Sequence, residues 1–147
     1  MIPGTHEEAA MTEDNKAMIL RFEEAFAAND QQTLRDLLAE DVVDHTPAPG
    51  AAQGREGFVQ FVDTLHRAFQ DMNQNVDDVI AEGDAVLTRW SVTGRHSGDF
   101  LGLRASNKTV SISGLTLYKV RGGRVAETWN HFDTLDMMQQ IGAVPEL

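Results

Sequence analysis

Seven residues near the C-terminus, ETWNHFD (127–133), set a tryptophan, a histidine and an aspartate at alternate positions. Extended backbone turns successive side chains to opposite faces. In a strand, Glu127, Trp129, His131 and Asp133 therefore share one face, and Thr128, Asn130 and Phe132 the other. A solvent face has little use for the indole and a dry core has little use for the imidazole and carboxyl, whereas the wall of a pocket uses all three. A carboxyl half buried beneath Trp129 would be desolvated, which suits a general acid or base working near neutrality. His131 could orient that carboxyl or donate to a substrate carbonyl. Asp133 also stands just before a short helical segment with Asp136 three residues on, so it reads equally as an N-cap. Both roles stay open.

Other chemistry-bearing residues are scattered. His45 lies in DHTP, where a short extended piece meets a Pro/Gly loop, a common setting for side chains at a pocket rim. His96 ends an alternating stretch whose Val79, Ala81, Val86, Trp90 and Val92 face marks the inside. Arg89 could clamp a substrate carboxylate, but Asp78 opposite it offers a cross-strand ion pair, and the ion pair is the favoured reading. His66 flanks the apolar stripe of a helix. No HxxxH or HExxH spacing fixes two metal ligands on one element, so no metal is expected from His45, His96, His131 and Asp133. A phosphate-cradling glycine loop and a GxSxG elbow are also missing.

The elements that must position these residues follow from periodicity. Residues 1–12 read as a loose arm ahead of a single domain over 13–147. Thr12 would cap a first helix carrying Met18, Phe22, Ala25 and Phe26. A short second helix carries Leu34, Leu37 and Leu38, and a third runs from Gly57 to about Met72 with Phe58, Phe61, Val62, Leu65 and Phe69 in register. The period then changes to two. One hairpin turns at Gly83-Asp84, with Ile80 opposite Leu87, Asp78 opposite Arg89 and Asp77 opposite Trp90. A second turns at Gly122-Gly123. Counted as a two-residue loop, it pairs Tyr118 with Glu127, Thr116 with Trp129 and Gly114 with His131. TLDMMQQIG closes the chain as a short helix. Helices followed by antiparallel strands predict an α+β domain, with helices on one face of a curved sheet and a cavity between them. Leu115, Leu117 and Phe132 on the other face predict a sheet-to-sheet homodimer.

Composition narrows the classes. Of 147 residues, 41% are hydrophobic and 24% charged, with a net charge of -11. That balance argues against nucleic acid and against anionic membrane surfaces, which need a basic patch. The absence of cysteine removes disulfides and thiolate chemistry. No apolar run reaches membrane-spanning length and the N-terminal stretch has no signal-like apolar core, so a cytoplasmic location is expected.

DHTP, GDAVLTRWSVTGRHSGDFLG, ISGLTLYKVRGGRVAETWNHFD and LDMMQQIG together resemble the SnoaL-like polyketide cyclases, also called ester cyclases, of the nuclear transport factor 2-like superfamily. The resemblance covers nearly all of residues 13–145. It implies a cone: a curved antiparallel sheet wrapped around three helices, dimeric through its outer face. It also implies intramolecular aldol ring closure of an aromatic polyketide ester without metal or cofactor. The family's acid/base aspartate at the end of the last strand matches Asp133 by position. His131 and His45 would then hydrogen-bond quinone and ester oxygens, and Trp129, Trp90 and Tyr118 would offer stacking surfaces, with His96 beside them. Sister families include isomerases, dehydratases, epoxide hydrolases and non-catalytic binding domains, so an isomerase, dehydratase or hydrolase using the same Asp, or a non-catalytic ligand-binding domain, are the alternatives.

Overall fold

In the computed structural model, which describes residues 6–145, the chain opens with a 23-residue helix, α1 (His6–Ala28). Asn15, Met18, Ile19, Phe22 and Glu23 are buried at spacings of three and four, so one face of α1 meets the core. The helix begins ahead of the Thr12 cap expected from the sequence. The described part of the 1–12 arm is thus helical, and its residues 1–5 lie outside the described residues. Asp30 caps α2 (Gln31–Leu37) by accepting from the Thr33 amide, and β1 (Leu38–Asp44) follows directly.

Helix α3 (Gly54–Ala68) stops four residues before the expected Met72. Phe69 is already extended and opens β2 (Phe69–Glu82), where it pairs with His96 and Gln70 pairs with Arg95. The Ala68 carbonyl accepts from the Ser97 and Gly98 amides. Strand pairing has overridden the helical period that Phe69 and Met72 continue. Three further strands, β3 (Ala85–His96), β4 (Thr109–Arg121) and β5 (Arg124–Phe132), complete a sheet of order β1-β5-β4-β3-β2 before α4 (Thr134–Gln140). The expected antiparallel sheet is therefore mixed, because β1 runs parallel to β5 while the other pairs are antiparallel. The sheet is curved and open, and the α+β cone expected from the sequence is the fold observed.

Both hairpin turns fall where expected, at Gly83-Asp84 and Gly122-Gly123. The two glycines of the second turn have φ of 58° and 73°, the left-handed conformation that a tight two-residue hairpin loop demands. Beyond that turn the register departs from simple counting. Val120 pairs with Val125, but Lys119 pairs with Glu127, so β5 holds one residue more than β4 at this point. This bulge brings Tyr118 opposite Thr128, Thr116 opposite Asn130 and Gly114 opposite Phe132. A one-residue slip exchanges the two faces of a strand. Thr128, Asn130 and Phe132 thus point inward with Thr116 and Tyr118, and the face carrying Trp129 turns outward. A second irregularity at Asp77 sets Val76, rather than Asp77, opposite Trp90.

Two buried clusters fill the space between helices and sheet. One gathers Ile19, Phe22, Leu34, Val62, Tyr118 and Val125; the other joins Ala68, Phe69, Phe100, Val110, Met137 and Ile141. Phe22 is fully buried with its ring edge-on to Tyr118, centroids 5.6 Å apart, and burying such a side chain contributes about 1.5–3 kcal/mol. Gly114 is the tightest point of the sheet near the site. A Cβ built there would lie 2.5 Å from Trp90 Cζ2 and 2.7 Å from the His131 carbonyl oxygen. Gly114→Ala should accordingly destabilise the fold by about 1–3 kcal/mol, the usual cost of overpacking. Urea unfolding checks this, and a variant as stable as the parent would show that the Trp90 ring yields freely.

Candidate functional site

Between the helices and the inner face of the sheet lies a cavity of about 490 Å³. Its wall is largely apolar, with Phe58, Phe61 and Leu65 from α3, Phe69 and Met72 from β2, and Trp90, Ile112 and Phe132 from the sheet. The Thr46-Pro47-Ala48-Pro49 loop and the Phe100-Leu101 loop border it. The polar groups that interrupt this surface include Glu23, Gln74, Thr116, Tyr118, Thr128 and Asn130, and at the loop side Asp44, whose Oδ1 accepts from the Thr46 amide and hydroxyl. Concave, mostly apolar, with a small convergent polar set, it has the character of a small-ligand site.

Glu23 is the least expected member. It projects from the core face of α1, is only 5% exposed, and takes three side-chain donors: Tyr118 and Thr88 on Oε1, and Gln74 on Oε2 at 2.8 Å. Burial raises its pKa, and the bonds from Tyr118, Thr88 and Gln74 oppose that rise without cancelling it. Burial first, and the Glu23 charge second, push the Tyr118 phenol well above its ordinary value, so Tyr118 stays an O–H donor. A second chain runs one step further along β4. Trp90 Nε1–H donates to Thr116 Oγ1 at 2.9 Å, and Thr116 donates to Asn130 Oδ1 at 2.8 Å. The Asn130 amide is set with its oxygen toward Thr116, whose hydroxyl donates to it while accepting from the indole, which can only donate. The Asn130 backbone amide donates to Thr46 Oγ1 at 2.7 Å, tying β5 to the proline loop.

The residues singled out in the sequence divide between the two sides of the sheet. Trp90 and Tyr118 line the cavity as expected. His96 faces inward and is fully buried, but it stacks on Phe69 at 5.2 Å, is bonded through Nδ1 to Ser106, and does not line the cavity. Trp129 is on the outer face, against expectation, because of the bulge after Ala126. His45, expected at the rim, also lies outside, stacked flat on Trp129 at 4.2 Å and bonded through Nε2 to Glu127 at 3.0 Å. That bond, joined by Arg121, holds the Glu127 carboxyl below its ordinary range. His131 borders the cavity but is exposed. Asp133, expected half buried beneath Trp129, is exposed; its Oδ1 accepts from the Asp136 amide at 2.9 Å as the N-cap of α4. Arg89 makes the expected ion pair with Asp78, 2.6 Å away. Among the described residues, no three His, Asp or Glu side chains gather to hold a metal, and no helix is long and apolar enough to cross a membrane.

Two signals could have revealed what the sequence reading missed. Glu23 lies four residues after Ile19 and one after Phe22, a carboxylate within the apolar stripe of a helix. Asn130 alternates with Thr128 and Phe132 in the strand whose bulge inverted the faces.

A curved sheet closed by helices over such a cavity defines a nuclear transport factor 2-like small-ligand fold. The model of the SnoaL-like polyketide cyclases matches residues 16–141, and the chain belongs to that family. IdmH from Streptomyces antibioticus, a proposed polyketide cyclase, is 33% identical over 87% of this chain and 98% of its own, with a TM-score of 0.75. TsrD from Streptomyces laurentii is 25% identical over 90% of this chain and 97% of its own, with a TM-score of 0.81. A proposed SnoaL-like polyketide cyclase from Jannaschia is also 25% identical, over 92% and 96%, with a TM-score of 0.83. No match is found among curated proteins.

The buried carboxyl makes a prediction about stability. Glu23 binds its proton more tightly folded than unfolded, so folding stability declines as pH rises from the ordinary carboxylate range through the raised folded value. Glu23→Gln has no proton to lose. The melting temperature of the variant minus that of the parent should therefore increase from mildly acidic to neutral pH, read by melts across that range. A flat difference would mean that Glu23 titrates like an exposed carboxyl.

Proposed function

We propose that the cavity binds a small aromatic or polyketide ester and closes a ring in it by intramolecular aldol-type condensation, using acid/base groups of the protein alone. The observation that carries this reading is the cavity itself, apolar along its walls and polar only at a few placed groups. An apolar enclosure holds a flat polycarbonyl chain folded, with reacting carbons close together, and that proximity supplies much of the rate. A carbon between two carbonyls is acidic enough for a single carboxylate of raised pKa to deprotonate. Trp90 and Tyr118 serve as flat surfaces for the ligand, and His131 stands at the rim. Asp133, matched by resemblance to the family's acid/base aspartate, adjoins the lining residues Phe132 and Thr134 while its carboxylate serves the α4 cap.

That engagement of Asp133 favours a second reading, a binding domain that holds the same class of ligand without turning it over. The two part on one experiment. An anthraquinone-type polyketide ester and a panel of β-keto esters are titrated while Trp90 fluorescence is followed, and ring closure is then monitored by NMR. Saturable quenching with ring closure is expected. Quenching without any reaction would favour the binding domain, and no binding across the panel would sink both readings.

The outer face supports a homodimer in this proposal. Ile80, Leu87, Leu117 and Trp129 lie side by side across four strands, and Ile80 is 64% exposed. An apolar row of that length asks for cover. Sedimentation should find a dimer that Leu117→Lys converts to monomer with its melting temperature little changed; a monomeric parent would remove the dimer from the proposal.

A further inference from the structure

We propose that Glu23, carried by α1 rather than by the last strand, is the acid/base residue of this cavity, with the Asn130 side-chain amide as the donor that holds the substrate's carbonyl oxygen. The inference rests on the cyclase reading above and deepens it.

Three features of the geometry support the assignment. The Glu23 carboxyl lines the cavity at a position that α1 could have filled with an apolar side chain, and burying it costs free energy unless it is fully partnered. Its partners hold it without using it up. Tyr118 and Thr88 both donate to Oε1, while Oε2 receives only the Gln74 amide, which leaves an acceptor site on Oε2. On the next inward-facing position of β4, Thr116 turns the Asn130 oxygen away, and the Asn130 Nδ2 has no hydrogen-bond partner among the described residues although it belongs to a cavity-lining side chain. Tyr118, which donates to Glu23, and Thr116, which donates to Asn130, are two residues apart on β4, about 7 Å, so the two side chains are held from neighbouring inward-facing positions of one strand.

The step then balances with no further reagent. Glu23 Oε2 takes the proton from the carbon between two carbonyls, and the C–H pair moves onto the carbonyl oxygen held by Asn130. The enolate carbon attacks the carbon of a third carbonyl further along the same molecule, forming the C–C bond; that carbonyl's π pair moves to its oxygen, and the pair on the enolate oxygen re-forms its C=O bond. Glu23 returns the proton to this alkoxide.

The test compares the parent, Glu23→Gln, Tyr118→Phe and Asp133→Asn in D2O with the same β-keto ester and polyketide ester panel, reading exchange of the acidic C–H, ring closure and Trp90 quenching. Glu23→Gln should lose about 10²-fold or more in exchange while still quenching. Asp133→Asn should keep exchange near the parent rate, since Asn caps a helix as well as Asp. Tyr118→Phe removes a bond that lowers the Glu23 pKa, so the acid limb of the rate profile should move to higher pH. This variant keeps the assignment testable if Glu23→Gln does not fold. Exchange that survives Glu23→Gln, or that vanishes in a folded Asp133→Asn while Tyr118→Phe leaves the limb in place, overturns the assignment and leaves the cyclase reading standing. Absence of exchange in the parent overturns both.

Discussion

Beside the Gly122-Gly123 turn, β5 accommodates Val125 and Ala126 where β4 offers only Val120, and the facing of every later residue in β5 follows from that extra residue. The side-chain period of a strand is two, so the bulge cannot be absorbed gradually; it either is present and sends Asn130 inward or is absent and sends Trp129 inward. Both Val125 and Ala126 are buried, which gives the core a reason to keep the irregular pairing. Much of the cavity depends on it. Asn130 meets Thr116, Phe132 tilts against Trp90 at 6.2 Å, and Gly114 leaves the gap into which that indole fits.

The same cavity is coupled to the core through α1. Phe22 packs edge-on against Tyr118, and the next residue, Glu23, receives the Tyr118 hydroxyl. A helix holds adjacent side chains in fixed relation, so the apolar contact aligns the polar one. An unpartnered carboxyl in this position would cost several kcal/mol, and the donors from β2, β3 and β4 are what make it tolerable. Three strands and one helix converge on a single side chain, an arrangement that places the polar floor of the site on rigid elements rather than on loops.

Sheet and helices divide the aromatic and titratable residues by function. Inside are Trp90, Tyr118, Glu23 and Asn130, and outside are Trp129, His45 and Glu127, which bind one another. Stacking the imidazole on the outward indole covers part of an aromatic surface that water would otherwise meet. Asp133, at the junction of β5 and α4, satisfies an otherwise orphan helix amide and thereby sets where the chain turns from sheet to helix.

The sequence by itself determined the order of elements, both hairpin turns, the inward face of β3 and β4, the Arg89–Asp78 pair and the family. Each of these is encoded locally, by a period, a glycine pair or a motif. Tertiary structure decided the rest. The end of α3 at Ala68 and the parallel docking of β1 depend on pairing with distant strands. The inversion of β5 depends on which of two registers the core packs better, a choice no count along the chain contains. Glu23 belongs with these, because the donors that allow its burial lie 51, 65 and 95 residues away and only the folded sheet brings them to it.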